Sequence, residues 1–147
     1  MNKIEKLNSI SYHDANIINY KKYKNDITIE LKDGWEENTY YKIELKNVSI
    51  QIMKNKVHLV YYVLDEFNNI NNSNPLPLYA GKAEKTNEKK YNLKLWIDYP
   101  QMQYIKEKNL INKYPFADQN IILCDDYDDT GRLFIKFIAD DINVVNL

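Results

Sequence analysis

Apolar and polar residues alternate with a period of two over several short stretches of the chain. Apolar side chains occupy positions 27, 29 and 31, and the pattern recurs at positions 41, 43 and 45. Because successive side chains of a strand point to opposite faces, this alternation predicts two half-buried strands. Asp33 and Gly34 end the first strand with residues typical of turns. We therefore expect an antiparallel hairpin whose loop carries Trp35, Glu36 and Glu37.

The same pattern predicts a sheet that extends well beyond this hairpin. Residues 57–64 are apolar on both faces, as expected for a central strand. Residues 67–77 are rich in Asn, Ser and Pro, which predicts a loop. Further strands are predicted at residues 15–23, 93–97 and 142–145, and a second hairpin is predicted from residues 121–124 and 133–138.

One helix is predicted near residues 99–112. Asp98 can cap its start, Gln101 stands in the capping-box position, and Pro115 prevents continuation. A short N-terminal helix over residues 3–7 is a second possibility. The expected fold class is α+β and β-rich, with a mainly antiparallel sheet of about six to eight strands, in a single domain that spans residues 1–147.

Composition places the chain among ordinary globular proteins, with 44% hydrophobic and 28% charged residues. The single cysteine, Cys124, excludes an internal disulfide and fits a reduced, intracellular setting. The first residues lack the apolar stretch of a signal peptide, and no apolar run is long enough to span a bilayer. We expect a cytoplasmic protein with no membrane partner.

Charge is unevenly distributed, although the net charge is only −1. Residues 82–113 sum to +4, and residues 114–147 sum to −5. The lysines of residues 82–94 are interleaved with Glu84 and Glu88, and the stretch has no Arg for bidentate recognition of phosphate. We therefore interpret that stretch as a solvated surface and expect no nucleic-acid partner.

The acidic stretch at residues 125–129 invites a calcium interpretation. A loop of the EF-hand kind that begins at Asp126 would place Phe137 where a bidentate carboxylate is needed, which rejects that motif. The turn chemistry of residues 128–131 favours a hairpin connection. An exposed surface for a partner and a looser calcium site stay open as alternatives. The candidate partner contacts are Asp125, Asp126, Tyr127, Asp128 and Asp129, with Tyr127 as an aromatic anchor.

Signals for catalysis are sparse. His13 and His58 are the two histidines, and their spacing matches no local metal-binding signature. The three glycines supply no phosphate-cradling loop. We expect His13 to bond backbone at the start of a strand, and we predict no catalytic residue, no metal site and no cofactor.

The segment SYHDANIINYKKYKNDITIELKDGW, together with YYKIELKNVSI and the C-terminal GRLFIKFIADDINVV, resembles small uncharacterised bacterial proteins with an H-D-A/S-x-I/V opening motif. Some proteins of that kind are encoded beside polymorphic toxins and are candidate immunity proteins. The resemblance implies a cognate protein toxin as partner and supplies no catalytic residues. His13 and Asp14 match the opening motif.

Three functions remain open at the level of sequence. The leading hypothesis is a protein-binding module, most concretely an immunity protein that sequesters a toxin and is not an enzyme. The alternative is a β domain that binds another ligand or protein. The third is a metal-assisted hydrolase that uses His13, Asp14 and distant carboxylates, and it requires a second metal ligand to converge on His13. The sequence leaves the oligomeric state unknown.

Overall fold

The computed structural model describes residues 1–53, 69–86, 90–98, 120–124 and 134–147. These residues form one helix and nine strands: α1 (Lys3–Asn8), β1 (Asn16–Tyr23), β2 (Asp26–Lys32), β3 (Tyr40–Lys46), β4 (Ser49–Met53), β5 (Leu76–Lys85), β6 (Tyr91–Ile97), β7 (Asn120–Cys124), β8 (Phe134–Ala139) and β9 (Asp141–Asn146). The predicted helix at residues 99–112 and the predicted strand at residues 57–64 lie outside the described residues.

The strands follow the order β7-β4-β8-β6-β5-β1-β2-β3-β9. All the pairs are antiparallel except β4 with β7. The β-rich α+β class with a mainly antiparallel sheet is therefore confirmed, with nine described strands where about six to eight were expected. The hairpin of β2 and β3 is confirmed as well, with Ile29 opposite Ile43.

The sheet divides into two half-sheets at β1 and β5, which share only two residue pairs, Asn16 with Pro77 and Ile17 with Leu76. The first half-sheet holds β1, β2, β3 and β9, and the second holds β4 to β8. One residue, Asp140, separates β8 from β9, so the chain passes directly from one half-sheet to the other there. Apolar side chains of both half-sheets belong to one buried core, for example Ile29 and Phe137, which are both 0% exposed.

The predicted second hairpin was wrong. The segments at residues 121–124 and 133–138 do not form a hairpin, because β4 lies between β7 and β8 and pairs with both. The strand at residues 76–85 was not predicted. It begins in the last two residues of the predicted loop at 67–77 and ends within the stretch interpreted as a solvated surface, where Lys82 and Lys85 are exposed. A register shift between Leu78 and Ala80 keeps Leu78 and Ala83 on the buried face of this strand.

Candidate partner-binding surface

His13 and Asp14 form an exposed turn that leads into β1. The Tyr79 carbonyl accepts a hydrogen bond from His13 Nδ1 at 3.2 Å, and the two rings lie edge to face at 5.6 Å. The Asp14 carboxylate lies 3.7 Å from His13 Nε2, and both side chains are about 70% exposed. No group of three or more metal-ligating side chains occurs among the residues that the structure describes. Within those residues, His13 attaches the turn to β5.

The N-terminal segment covers an open edge of β5. Beyond its two pairs with β1, this edge of β5 has no strand neighbour within the described part of the sheet. The Asn8 side chain takes the place of a neighbouring strand at Ala83. Its amide NH2 donates to the Ala83 carbonyl at 2.8 Å, and its amide oxygen accepts from the Ala83 N–H at 2.7 Å. The Tyr12 ring lies so close to Gly81 that a Cβ there would stand 2.4 Å from it. These contacts protect an edge that would otherwise offer unpaired backbone groups.

Asp33 organises the loop between β2 and β3. Its carboxylate is only 6% exposed and accepts hydrogen bonds from the backbone N–H groups of Ser11 at 3.0 Å, Trp35 at 2.9 Å and Glu36 at 2.8 Å. Burial by itself raises the pKa of Asp33, but these donors outweigh it and hold the pKa below its ordinary value. The ionised form of Asp33 therefore fixes the conformation of the loop.

Gly34 joins this loop to the turn at His13. The Gly34 N–H donates to the Ser11 carbonyl at 2.8 Å. A Cβ on Gly34 would stand 2.0 Å from the His13 carbonyl oxygen and 2.8 Å from the Ala15 nitrogen. Only a residue without a side chain allows this approach, so the loop and the turn form one unit.

Trp35 projects from this unit into solvent. It is 84% exposed, and its side chain makes no hydrogen bond or ring contact within the described ranges. Glu36 and Glu37 follow it and are exposed, as is Asp14 on the adjoining turn. We name the four residues Asp14, Trp35, Glu36 and Glu37 the Trp35 surface. An exposed aromatic side chain on a fixed loop that also carries exposed carboxylates is suited to contact a protein.

The sequence-predicted contacts Asp125, Asp126, Tyr127, Asp128 and Asp129 lie outside the described residues, so their role stays a prediction. The strands on either side of them are described. Traced through the strand pairings, β8 runs in the same direction as β2. β7 therefore ends, and β8 begins, at the end of the strands opposite to the one where β2 reaches the Trp35 surface. Four strand spacings, about 19 Å along the sheet, separate β2 from β8.

Two other aspartates of the acidic C-terminal third are already paired within the fold. Asp140 forms an ion pair with Lys90 and accepts a hydrogen bond from Asn47. Asp141 pairs with Lys3 at 2.5 Å, and this bond to Lys3 is the main reason that the pKa of Asp141 is lowered. These two aspartates therefore add nothing to a free acidic surface.

Sequence reasoning placed Trp35 in a loop without assigning it to a site. The available signal was the position itself, since a large aromatic residue stood in a turn where polar residues are expected. Its exposure depends on Gly34 and Asp33 contacting residues 11–15, and these contacts are tertiary.

No protein-family model matches this chain, and neither a curated protein nor a solved structure is significantly similar to it. Among the described residues, no helix has the length and apolar character needed to cross a membrane. What the structure itself provides is a β-rich α+β fold that carries a candidate surface for contact with a protein partner, the Trp35 surface.

Proposed function

We propose that the protein is a non-enzymatic protein-binding module and that the Trp35 surface contacts its partner. The observation that carries the proposal is the 84% exposure of Trp35 on a loop that Asp33 and Gly34 hold in place. Tryptophan is enriched among the residues that dominate binding energies. A loop that is already ordered loses little conformational entropy when the partner binds.

Electrostatics indicates the chemistry of the partner. The Trp35 surface carries three exposed carboxylates, those of Asp14, Glu36 and Glu37, and Lys32 is the exposed cation at the end of the preceding strand. A partner with a basic surface would be attracted, and its association would be faster at low ionic strength.

The more specific form of the proposal is a cytoplasmic immunity protein that sequesters a cognate toxin. Three points support it: the resemblance of residues 11–50 to candidate immunity proteins, the acidic Trp35 surface, and a His13 side chain that bonds backbone. A toxin that acts on nucleic acid needs a basic substrate site, which an acidic protein surface can occupy.

The test uses a substitution on the contact surface and a matched control. Trp35→Ala should weaken binding of the toxin encoded beside the gene by about 30-fold or more, the loss expected for a dominant contact residue. The control is Tyr23→Ala, because Tyr23 is another exposed aromatic, 73% accessible, at the end of β1 away from Trp35. Isothermal titration calorimetry measures both affinities.

Co-expression provides the functional measurement. The wild-type chain and the Tyr23→Ala variant should restore growth of cells that produce the toxin, and Trp35→Ala should restore it poorly. Equal rescue and equal affinity for both variants would refute the Trp35 surface as the contact. Failure of the wild-type chain to bind or neutralise the neighbouring gene product would refute the immunity role.

A further inference from the structure

The outer faces of the two half-sheets differ in how they place charge. On the first half-sheet, Glu30 of β2 stands opposite Lys42 of β3, so opposite charges are neighbours. On the second half-sheet, Lys82 of β5 stands opposite Lys94 of β6, and Lys94 stands opposite Lys136 of β8. Residues in direct register share a face, and like charges there destabilise a sheet. We name Lys82, Lys94 and Lys136 the lysine row.

Among the described residues, Glu84 is the carboxylate that pairs with the lysine row. Glu84 pairs with Lys94 at 2.8 Å, and this hydrogen bond is the main reason that the pKa of Glu84 is lowered. Lys82 and Lys136 make no ion pair or hydrogen bond within the described part of the chain. Within the described part of the chain, one carboxylate thus faces three ammonium groups, which leaves about two positive charges without a paired carboxylate.

Polar contacts hold Lys94, the central residue of the row, in place. Asn92 is 3% exposed and donates from its side-chain amide to the same Glu84 oxygen that binds Lys94, at 3.3 Å. The Lys94 side chain itself is only 24% exposed. The side-chain oxygen of Asn92, Oδ1, is buried and has no hydrogen-bond donor among the described residues. The Lys94 ammonium is therefore positioned by Glu84, whose carboxylate is itself held by Asn92.

We propose that the lysine row binds a small soluble anion that carries two or more phosphate groups. The outer two strands of the row are two strand spacings, about 10 Å, apart. The flexible four-carbon stems of Lys82 and Lys136 let their ammonium groups converge on an anion held by Lys94. Binding would replace the repulsion within the row by charge-assisted hydrogen bonds.

This anion site is independent of the Trp35 surface, because it lies on β5, β6 and β8 and shares no residue with it. The probe is inorganic tripolyphosphate, titrated calorimetrically into the full chain at about 50 mM and about 200 mM salt. The wild-type chain should bind it saturably and more weakly at the higher salt. Lys136→Gln should lower the affinity about tenfold or more. The matched control is Lys21→Gln, an exposed strand lysine on the first half-sheet, which should bind like the wild type.

Glu84→Gln gives a result that a misfolded variant cannot imitate. It keeps a hydrogen-bond acceptor for Asn92 and Lys94 but removes the carboxylate charge, so affinity for tripolyphosphate should rise. Absence of saturable binding, or equal affinity of wild type and Lys136→Gln, would overturn the proposal. Binding of a single-stranded oligonucleotide without binding of tripolyphosphate would also overturn it, since the face would then recognise a nucleic acid.

Discussion

The carboxylate of Asp33 offers the sharpest test of how this fold is held together. It ties two segments that are far apart in sequence, the loop after β2 and the N-terminal segment at Ser11. We choose Asp33→Asn because the side chain keeps its size and loses one acceptor oxygen and the charge. The amide can keep the bonds to Trp35 and Glu36, but its NH2 group then faces the Ser11 N–H.

The expected cost follows from that geometry. One backbone donor loses its acceptor in a position where Asp33 is 6% exposed, which costs about 1–3 kcal/mol. The two remaining bonds also weaken, because they no longer end on a charged oxygen. We expect Asp33→Asn to lower the free energy of unfolding by about 2–3 kcal/mol at neutral pH.

The pH dependence of the stability difference distinguishes loss of the Asp33 charge from a general loss of packing. The pKa of Asp33 lies below its ordinary value of 3.8 in the folded chain. Its ionised form therefore contributes stability that is fully present above 3.8 and is lost as the pH falls through the lower folded value. Below that value the wild-type carboxyl is protonated and resembles the amide, so the difference between wild type and Asp33→Asn should shrink.

Urea unfolding at about pH 7 and at about pH 2.5, followed by circular dichroism, measures both quantities. Asp26, Glu84 and Asp141 also have lowered pKa values, so the wild type alone loses stability in acid for several reasons. Subtracting the free energy of unfolding of Asp33→Asn from that of the wild type at each pH isolates the contribution of Asp33. A cost below about 0.5 kcal/mol at pH 7, or a difference that stays constant into acid, would refute the reasoning.

Further predictions concern the contact between loop and turn, the core and the acidic stretch. Gly34→Ala should cost about 2–3 kcal/mol in thermal unfolding, because its Cβ would stand 2.0 Å from the backbone carbonyl of His13; stability equal to wild type would contradict that approach. Phe137→Ala should cost about 3–5 kcal/mol in urea unfolding, since Phe137 is 0% exposed in the core; a smaller loss would mean that the core collapses around the site. Replacing Asp125 and Asp126 together by Asn should change the free energy of unfolding by less than about 0.5 kcal/mol. It should also lower the affinity for the partner and reduce the salt dependence of binding; unchanged affinity would refute a contact by these two residues.

The strands that could be predicted are those whose pattern is local. Ile27, Ile29 and Leu31 alternate with polar residues, and each of these three is buried in the structure, at most 1% exposed. The partner strand follows after a short loop, so sequence proximity also gave the pairing of β2 with β3. The same reasoning failed for the segments at residues 121–124 and 133–138, where β4 takes the place between them.

The sequence by itself determined the β-rich class, the alternating core positions and the identity of the exposed loop residues. These depend on side-chain periodicity and turn chemistry, which act within a few residues. Only the tertiary structure decided that Asp33 binds Ser11, that Gly34 lies against His13, and that Lys82, Lys94 and Lys136 form a row. Each of these contacts joins residues that are 20 or more positions apart or depends on strand register. Register is set by how the two half-sheets bury one shared core, and no local pattern encodes it.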